Sequence, residues 1–170
     1  SMSNLNTAMK GILSELSSRA RDYLGDTFPE KIAAKVLEDK GPNLALNELL
    51  TLWTKASTKP IVLFFDEIDS IGGELLESLL RQIRSGYDKR PKFFPHSIIL
   101  CGIEDLRYKK IYETKEGVVT GGSVFNIEAK SLRLQNFNIN EVKSLLLPFS
   151  KEAGIAIDED VYKKLWEITN

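Results

Sequence analysis

Apolar residues recur at every third or fourth position in the first third of the chain, which is the spacing of one face of an α-helix. The pattern predicts a helix over residues 5–24, a shorter helix over residues 30–39 and a third helix that begins after Asn43, a residue type favoured at helix N-termini. Pro60 closes this helical region. Three amphipathic helices are therefore expected before any strand.

The pattern changes after Pro60. Residues 61–65 are all apolar, with no alternation, which predicts a short strand buried on both faces, as in parallel sheets covered by helices. Residues 70–85 return to helical spacing, and the stretch "SIILCG" reads as a second buried strand. A strand, a helix and a strand in this order predict a right-handed parallel crossover, so the fold class is expected to be α/β.

The last part of the chain predicts one more strand and two helices. Residues 131–134 have a strand-like composition and follow the glycine-rich stretch "KEGVVTGGS", which is expected to be a surface connection. Asn138 and Glu141 have the spacing of a capping box for the next helix, which Pro148 is expected to kink or shorten. A final helix is predicted to start near Asp158.

Composition narrows the function classes. The chain of 170 residues holds 23 Lys and Arg against 24 Asp and Glu, so its charge balance draws it neither to nucleic acid nor to an anionic membrane. One cysteine and one histidine exclude an internal disulfide and a Cys or His metal cluster. No apolar run approaches a membrane span, and a reducing cytoplasm is the expected location.

An acidic pair follows the first predicted strand directly. In doubly wound α/β proteins, ligands bind at the carboxyl ends of the parallel strands, and Asp66 and Glu67 fall at that edge. One interpretation is a Walker B element, in which the first acid holds Mg²⁺ through water and the second activates the attacking water. The other is that these acids cap the following helix. Asp69 adds negative charge or caps that helix itself.

The phosphate-binding partner of such an element is missing from the sequence. A triphosphate is usually wrapped by a loop of the pattern GxxxxGK[ST], whose backbone N–H groups bind the phosphates. None of the 11 glycines is followed by lysine. We therefore expect that this chain does not carry that loop.

Long segments of the chain resemble a known family. The stretches "PIVLFFDEIDSIGGELLESLLRQIRSGYDKRP", "HSIILCGIEDLRYKKIY" and "SVFNIEAKSLRLQNFNINEV" are similar to bacterial AAA-like ATPases, a group of P-loop NTPases that includes archaeal-type ATPases. The resemblance implies a partial P-loop NTPase-like three-layer αβα core over residues 3–134 and the start of a helical lid over residues 135–170. It also implies an internal piece of a longer protein, which lacks the Walker A region.

The resemblance implies roles for individual residues. Asp66 matches the acid that holds Mg²⁺ through water, and Glu67 matches the catalytic glutamate. Arg107, Arg90 and Arg84 are candidates for an arginine finger or a sensor in a homo-oligomer, with an exposed surface arginine as the alternative for each.

The sequence departs from the family at the sensor position. Related ATPases often place a polar residue that senses the γ-phosphate after the second strand, where this chain has Gly102. A standard sensor is therefore not expected at this position.

Two functions stay open at this point. The first is an ATPase that binds and hydrolyses ATP with Mg²⁺ in the full-length protein, with this piece inactive alone. The second is a nucleotide-independent protein-interaction module, in which the three N-terminal helices and the core serve as a binding platform. A basic and aromatic stretch, "RQIRSGYDKRPKFF", is a less favoured candidate for nucleic-acid contact.

Overall fold

The computed structural model describes residues 2–103, 110–114, 117–120, 130 and 132–169. Contacts divide the chain into two units, Ser1–Ala129 and Lys130–Asn170. The predicted boundary between an ATPase core and a lid, after residue 134, stays a prediction. Each helix in the described ranges is too short or too polar to cross a lipid bilayer.

The first unit begins with three helices, as the apolar spacing predicts. They are followed by a strand, a helix, a second strand and an antiparallel pair of strands. The elements are α1 (Met2–Leu24), α2 (Phe28–Lys40), α3 (Ala45–Ala56), β1 (Val62–Phe65), α4 (Gly73–Ser85), β2 (Ser97–Leu100), β3 (Lys110–Thr114) and β4 (Gly117–Thr120). Two short 3₁₀ helices lie at Ile68–Ser70 and Tyr87–Lys89.

Strands β1 and β2 form the parallel pair that the sequence predicts. Their register places Val62 beside Ser97 and Phe65 beside Leu100, and α4 connects the two strands. This is a partial α/β core in a mostly helical chain. Its importance for function is that both carboxyl ends lie at the same edge of the sheet.

The core of this unit is built by the helices. Six Leu residues of α3 and α4 are fully buried, and they pack with apolar residues of α1 and with Phe94. The fully buried members are Met9, Ala45, Leu46, Leu49, Leu50, Leu76, Leu79, Leu80 and Phe94. Leu63, Phe65, Ile98 and Leu100 contact this cluster from the sheet.

The prediction that residues 61–65 are buried on both faces is wrong. Within β1, Val62 is 47% exposed and Phe64 is 68% exposed, while Leu63 and Phe65 face the core. The physical reason is that the helices pack against one face of the sheet, and the alternation of strand side chains leaves the other face open. The third layer of the predicted αβα core stays a prediction.

Helix α3 does not start at the predicted cap. Its N-cap residue is Leu44, which makes no side-chain capping hydrogen bond, so the prediction that Asn43 caps this helix is wrong. The carboxamide of Gln82, on α4, accepts hydrogen bonds from the backbone N–H groups of Leu46 at 2.8 Å and Asn47 at 3.2 Å. The free backbone N–H groups at the start of α3 are therefore hydrogen-bonded by a residue that is distant in the sequence.

Trp53 links the end of α3 to the start of α2. Its indole N–H donates to Asp26 Oδ2 at 2.7 Å, and Asp26 Oδ1 accepts from the backbone N–H of Phe28 at 2.9 Å. One carboxylate therefore accepts hydrogen bonds from a buried indole N–H and from a backbone N–H in the first turn of α2. Because Asp26→Ala removes both bonds, it should lower the free energy of unfolding by about 1–2 kcal/mol. Urea unfolding followed by circular dichroism measures this, with the exposed Asp39→Ala as the control; an equal effect of the two changes would contradict the prediction.

Two predictions for residues after the second strand need correction. The described residues of the predicted third strand, 132–134, are not in a strand, and Ser131 lies outside the described residues. Part of the glycine-rich stretch forms strand β4, which pairs antiparallel with β3 and is not a simple surface connection. Short strand-like compositions such as these do not distinguish strand from extended coil.

The second unit contains the helices α5 (Ile139–Ala153) and α6 (Glu159–Thr169). The predicted capping box is confirmed, because Asn138 Oδ1 accepts from the N–H of Glu141 and Glu141 Oε2 accepts from the N–H of Asn138. Pro148 lies inside α5, which continues to Ala153, so the helix is not ended by it.

Candidate functional site

The candidate site lies where β1 and β2 end. The N–H of Cys101 donates to the carbonyl of Phe65 at 2.8 Å, and the N–H of Ile68 donates to the carbonyl of Cys101 at 3.0 Å. These bonds hold the acidic segment, which we define as residues 66–70, beside residues 101–103. An open cleft of about 500 Å³ is lined by Asp66, Glu67, Asp69, Ser70, Cys101, Gly102 and Ile103.

Glu67 has an unusual backbone conformation. Its φ of 51° and ψ of 35° are left-handed, and among the described residues no other residue except glycine has a positive φ. This conformation costs about 1 kcal/mol for a residue with a Cβ, and such strain occurs often at functional sites. It turns the chain so that Ile68 is buried while the side chains of Asp66 and Glu67 stay exposed.

Neither acid of the pair makes a side-chain capping hydrogen bond to the helix that follows. The N-cap residue of α4 is Gly72, and Glu67 makes no side-chain hydrogen bond to the 3₁₀ helix that follows it. Asp66 Oδ1 accepts from the backbone N–H of Glu67 at 2.9 Å, which fixes the first carboxylate against the second residue. Glu67 is the N-cap residue of this 3₁₀ helix by position, but its side chain makes no capping hydrogen bond, so the capping interpretation holds for its position alone. The exposed carboxylates of Asp66 and Glu67 line the cleft.

Asp69 makes a contact that sequence reasoning did not find. Its Oδ2 accepts a hydrogen bond from the backbone N–H of Ile103 at 2.9 Å. A Cβ added at Gly102 would lie 2.7 Å from Asp69 Oδ1. Gly102, at the position where related ATPases place a sensor, therefore leaves room for the Asp69 carboxylate. The available signal was a glycine two residues after the end of β2.

The candidate arginines lie away from the cleft, as far as the structure describes them. Arg84 is exposed at the end of α4, and the guanidinium of Arg90 stacks 3.9 Å from the ring centre of Tyr87. Arg81 pairs with Glu77 at 2.8 Å. Arg107 lies outside the described residues. None of the described arginines lines the cleft.

The basic and aromatic stretch offers few free aromatic rings. Phe94 is fully buried beneath Gly86 and belongs to the core, so its ring is not available to stack on a base. Phe93 is 41% exposed, with the ammonium groups of Lys55 and Lys92 at 5.4 and 5.0 Å from its ring centre. Contact with nucleic acid stays an untested alternative.

The oxygen donors at the cleft determine which metal site the chain could form. Over the ranges that the structure describes, no three Asp, Glu, His or Cys side chains converge where they would hold an ion. Mg²⁺ prefers oxygen ligands, keeps several waters and usually takes only one or two carboxylates in addition to substrate phosphates. The exposed carboxylate of Asp66 fits this limited role, but a site made of protein ligands alone does not fit.

The chain matches no protein-family model, no curated protein and no solved structure. Membership of the AAA-like ATPase family therefore stays a prediction from the quoted segments. The case for a function rests on the geometry of the cleft.

Proposed function

We propose that this chain supplies the metal-positioning and water-activating part of an ATPase. The observation that supports the proposal best is an exposed pair of acids, Asp66 and Glu67, whose side chains make no capping hydrogen bond to a helix. The pair lies at the carboxyl ends of two parallel strands, and the backbone of Glu67 is left-handed. A pair that served only as a helix cap would not need a strained backbone. Strain of this kind is retained where it fixes the direction of a side chain.

Asp66 and Glu67 have different tasks in this proposal. Asp66 is directed by its hydrogen bond to the N–H of Glu67, and it would contact Mg²⁺ through a coordinated water. The ion, when bound with ATP, neutralises charge on the phosphates. Glu67 has no side-chain capping bond, so its carboxylate is free to accept a proton from the attacking water.

The site needs a phosphate cradle from elsewhere. The sequence has no GxxxxGK[ST] loop, and the three carboxylates in the lining of the open cleft would repel a triphosphate that had no cradle. We therefore place the cradle in another segment of the full-length protein. A P-loop NTPase fold with a helical lid, a homo-oligomer and an arginine finger from Arg84, Arg90 or Arg107 belong to the same proposal.

The interaction-module alternative has less support. It relies on the apolar faces of the N-terminal helices, yet Met9, Leu13, Val36 and Leu49 are buried within the core of the first unit. A surface used for internal packing is not available to a partner. The acidic cleft would also have no role in such a module.

Asp66→Asn in the full-length protein tests the metal assignment. Asparagine keeps the size of the side chain but removes its charge, so the Mg²⁺ concentration for half-maximal turnover should rise about tenfold. The measurement is a Mg²⁺ titration of phosphate release at saturating ATP. Asp88→Asn, at an exposed aspartate on the second 3₁₀ helix, is the matched control. An unchanged Mg²⁺ requirement in Asp66→Asn would remove this residue from the site.

A further inference from the structure

Within the described residues, two hydrogen bonds join the acidic segment to the residues that follow β2. The first is the backbone bond from the N–H of Ile68 to the carbonyl of Cys101, at 3.0 Å. The second runs from the N–H of Ile103 to Asp69 Oδ2, at 2.9 Å. Of these two bonds between described residues, the second depends on a side chain, so it can be removed by a side-chain substitution.

The carboxylate of Asp69 fills the space that a side chain at position 102 would need. A Cβ at position 102 would lie 2.7 Å from Oδ1 and 2.9 Å from Cγ of Asp69, closer than real Cβ atoms approach other atoms. The φ of Gly102 is not positive, so the backbone itself would accept another residue. The requirement for glycine here comes from the carboxylate of Asp69, and a side chain at 102 would push that carboxylate away from Ile103.

We propose that Asp69 is a positioning residue that keeps the catalytic segment in its left-handed turn by binding the backbone of Ile103, with Gly102 leaving the space for it. This inference rests on the proposed function. Glu67, two residues before Asp69, holds a conformation that a non-glycine residue leaves when nothing opposes the change. The hydrogen bonds of Ile68 and Asp69 oppose this relaxation, because they hold the chain immediately after Glu67 against the residues that follow β2.

The latch, defined as the Asp69–Ile103 hydrogen bond with the space at Gly102, acts on catalysis through Glu67. When the latch opens, the turn relaxes and the carboxylate of Glu67 moves relative to the attacking water. A displacement of about 1 Å lowers the rate of the chemical step as much as 100-fold. We expect a fall in kcat of about 10- to 100-fold in Asp69→Ala. KM for MgATP should stay within about twofold, because the latch joins two groups of the protein and does not contact the substrate.

A double-mutant cycle in the full-length protein tests this mechanism. Asp69→Ala and Gly102→Ala should each lower kcat, and the double variant should be no worse than the poorer single variant, because both changes break the same contact. Asp69→Asn keeps an acceptor oxygen for the N–H of Ile103 and should restore most of kcat. Multiplied losses in the double variant, or an Asp69→Asn variant as slow as Asp69→Ala, would overturn the proposal.

Hydrogen exchange separates failure of the latch from failure of the proposed function. The same full-length variants are followed by mass spectrometry on a peptide that includes residue 103, without nucleotide. Faster exchange in Asp69→Ala and Gly102→Ala, but not in Asp69→Asn, is the expected result. An unchanged exchange rate in Asp69→Ala and Gly102→Ala would refute the proposed role of the latch, whatever the kinetics show. Faster exchange together with full turnover in Glu67→Gln would refute the proposed function, and with it the catalytic purpose of the latch, while leaving the contact itself established.

Discussion

Glu67→Gln in the full-length protein is expected to lower ATP turnover by at least about 100-fold while leaving ATP binding unchanged. Glutamine has the size of glutamate and still accepts a hydrogen bond, but its amide does not take a proton from water at neutral pH. The backbone of Glu67 is left-handed, and glutamine has the same Cβ, so the turn should persist. Steady-state phosphate release gives turnover, and calorimetry with MgATP gives binding.

Glu74→Gln is the matched control for this experiment. Glu74 is exposed in the first turn of α4 and does not line the cleft, so the same chemical change there should leave turnover within about twofold. Full turnover in Glu67→Gln would end its assignment as the general base. Equal losses in both variants would show that a general loss of negative charge, and not the base, explains the effect.

Gln82→Met should destabilise the first unit by about 2–3 kcal/mol. The side chain is 2% exposed, accepts from the N–H groups of Leu46 and Asn47, and donates to the carbonyl of Pro42 at 2.9 Å and to Ser78 Oγ at 3.1 Å. Methionine fills a similar volume but makes none of these bonds. Two buried N–H groups at the start of α3 would then lack a partner, and each orphaned group costs about 1–3 kcal/mol.

Denaturant unfolding followed by circular dichroism measures this effect, with Gln135→Met as the control. Gln135 is exposed and lies in an irregular segment, so its replacement should change the free energy of unfolding by less than about 0.5 kcal/mol. A cost below that value for Gln82→Met would mean that water replaces the carboxamide. In that case the start of α3 would not depend on α4.

The elements that sequence reasoning placed correctly depend on short-range patterns. Apolar spacing located α1, α2 and α4, and five apolar residues followed by two acids located β1 and the acidic segment. The capping box of Asn138 and Glu141 was also readable, because both partners lie within one turn of helix. In each case the information lies within a few residues of the feature itself.

The features that were missed depend on residues distant in the sequence. The cap of α3 comes from Gln82, and the latch joins Asp69 to Ile103, and no local pattern predicts either contact. The open face of β1 depends on which elements cover the sheet, which five apolar residues do not specify. The left-handed turn at Glu67 was also invisible, since glutamate has no preference for that conformation.

The proposed function is tested most directly by a calorimetric titration of MgATP into two samples, the full-length protein and the 170-residue chain, after circular dichroism has verified that the chain is folded. We expect binding by the full-length protein and no detectable binding by the chain alone, because the acidic segment without a phosphate cradle repels a triphosphate. Tight binding by the 170-residue chain, or no binding by the full-length protein, would contradict the proposed function.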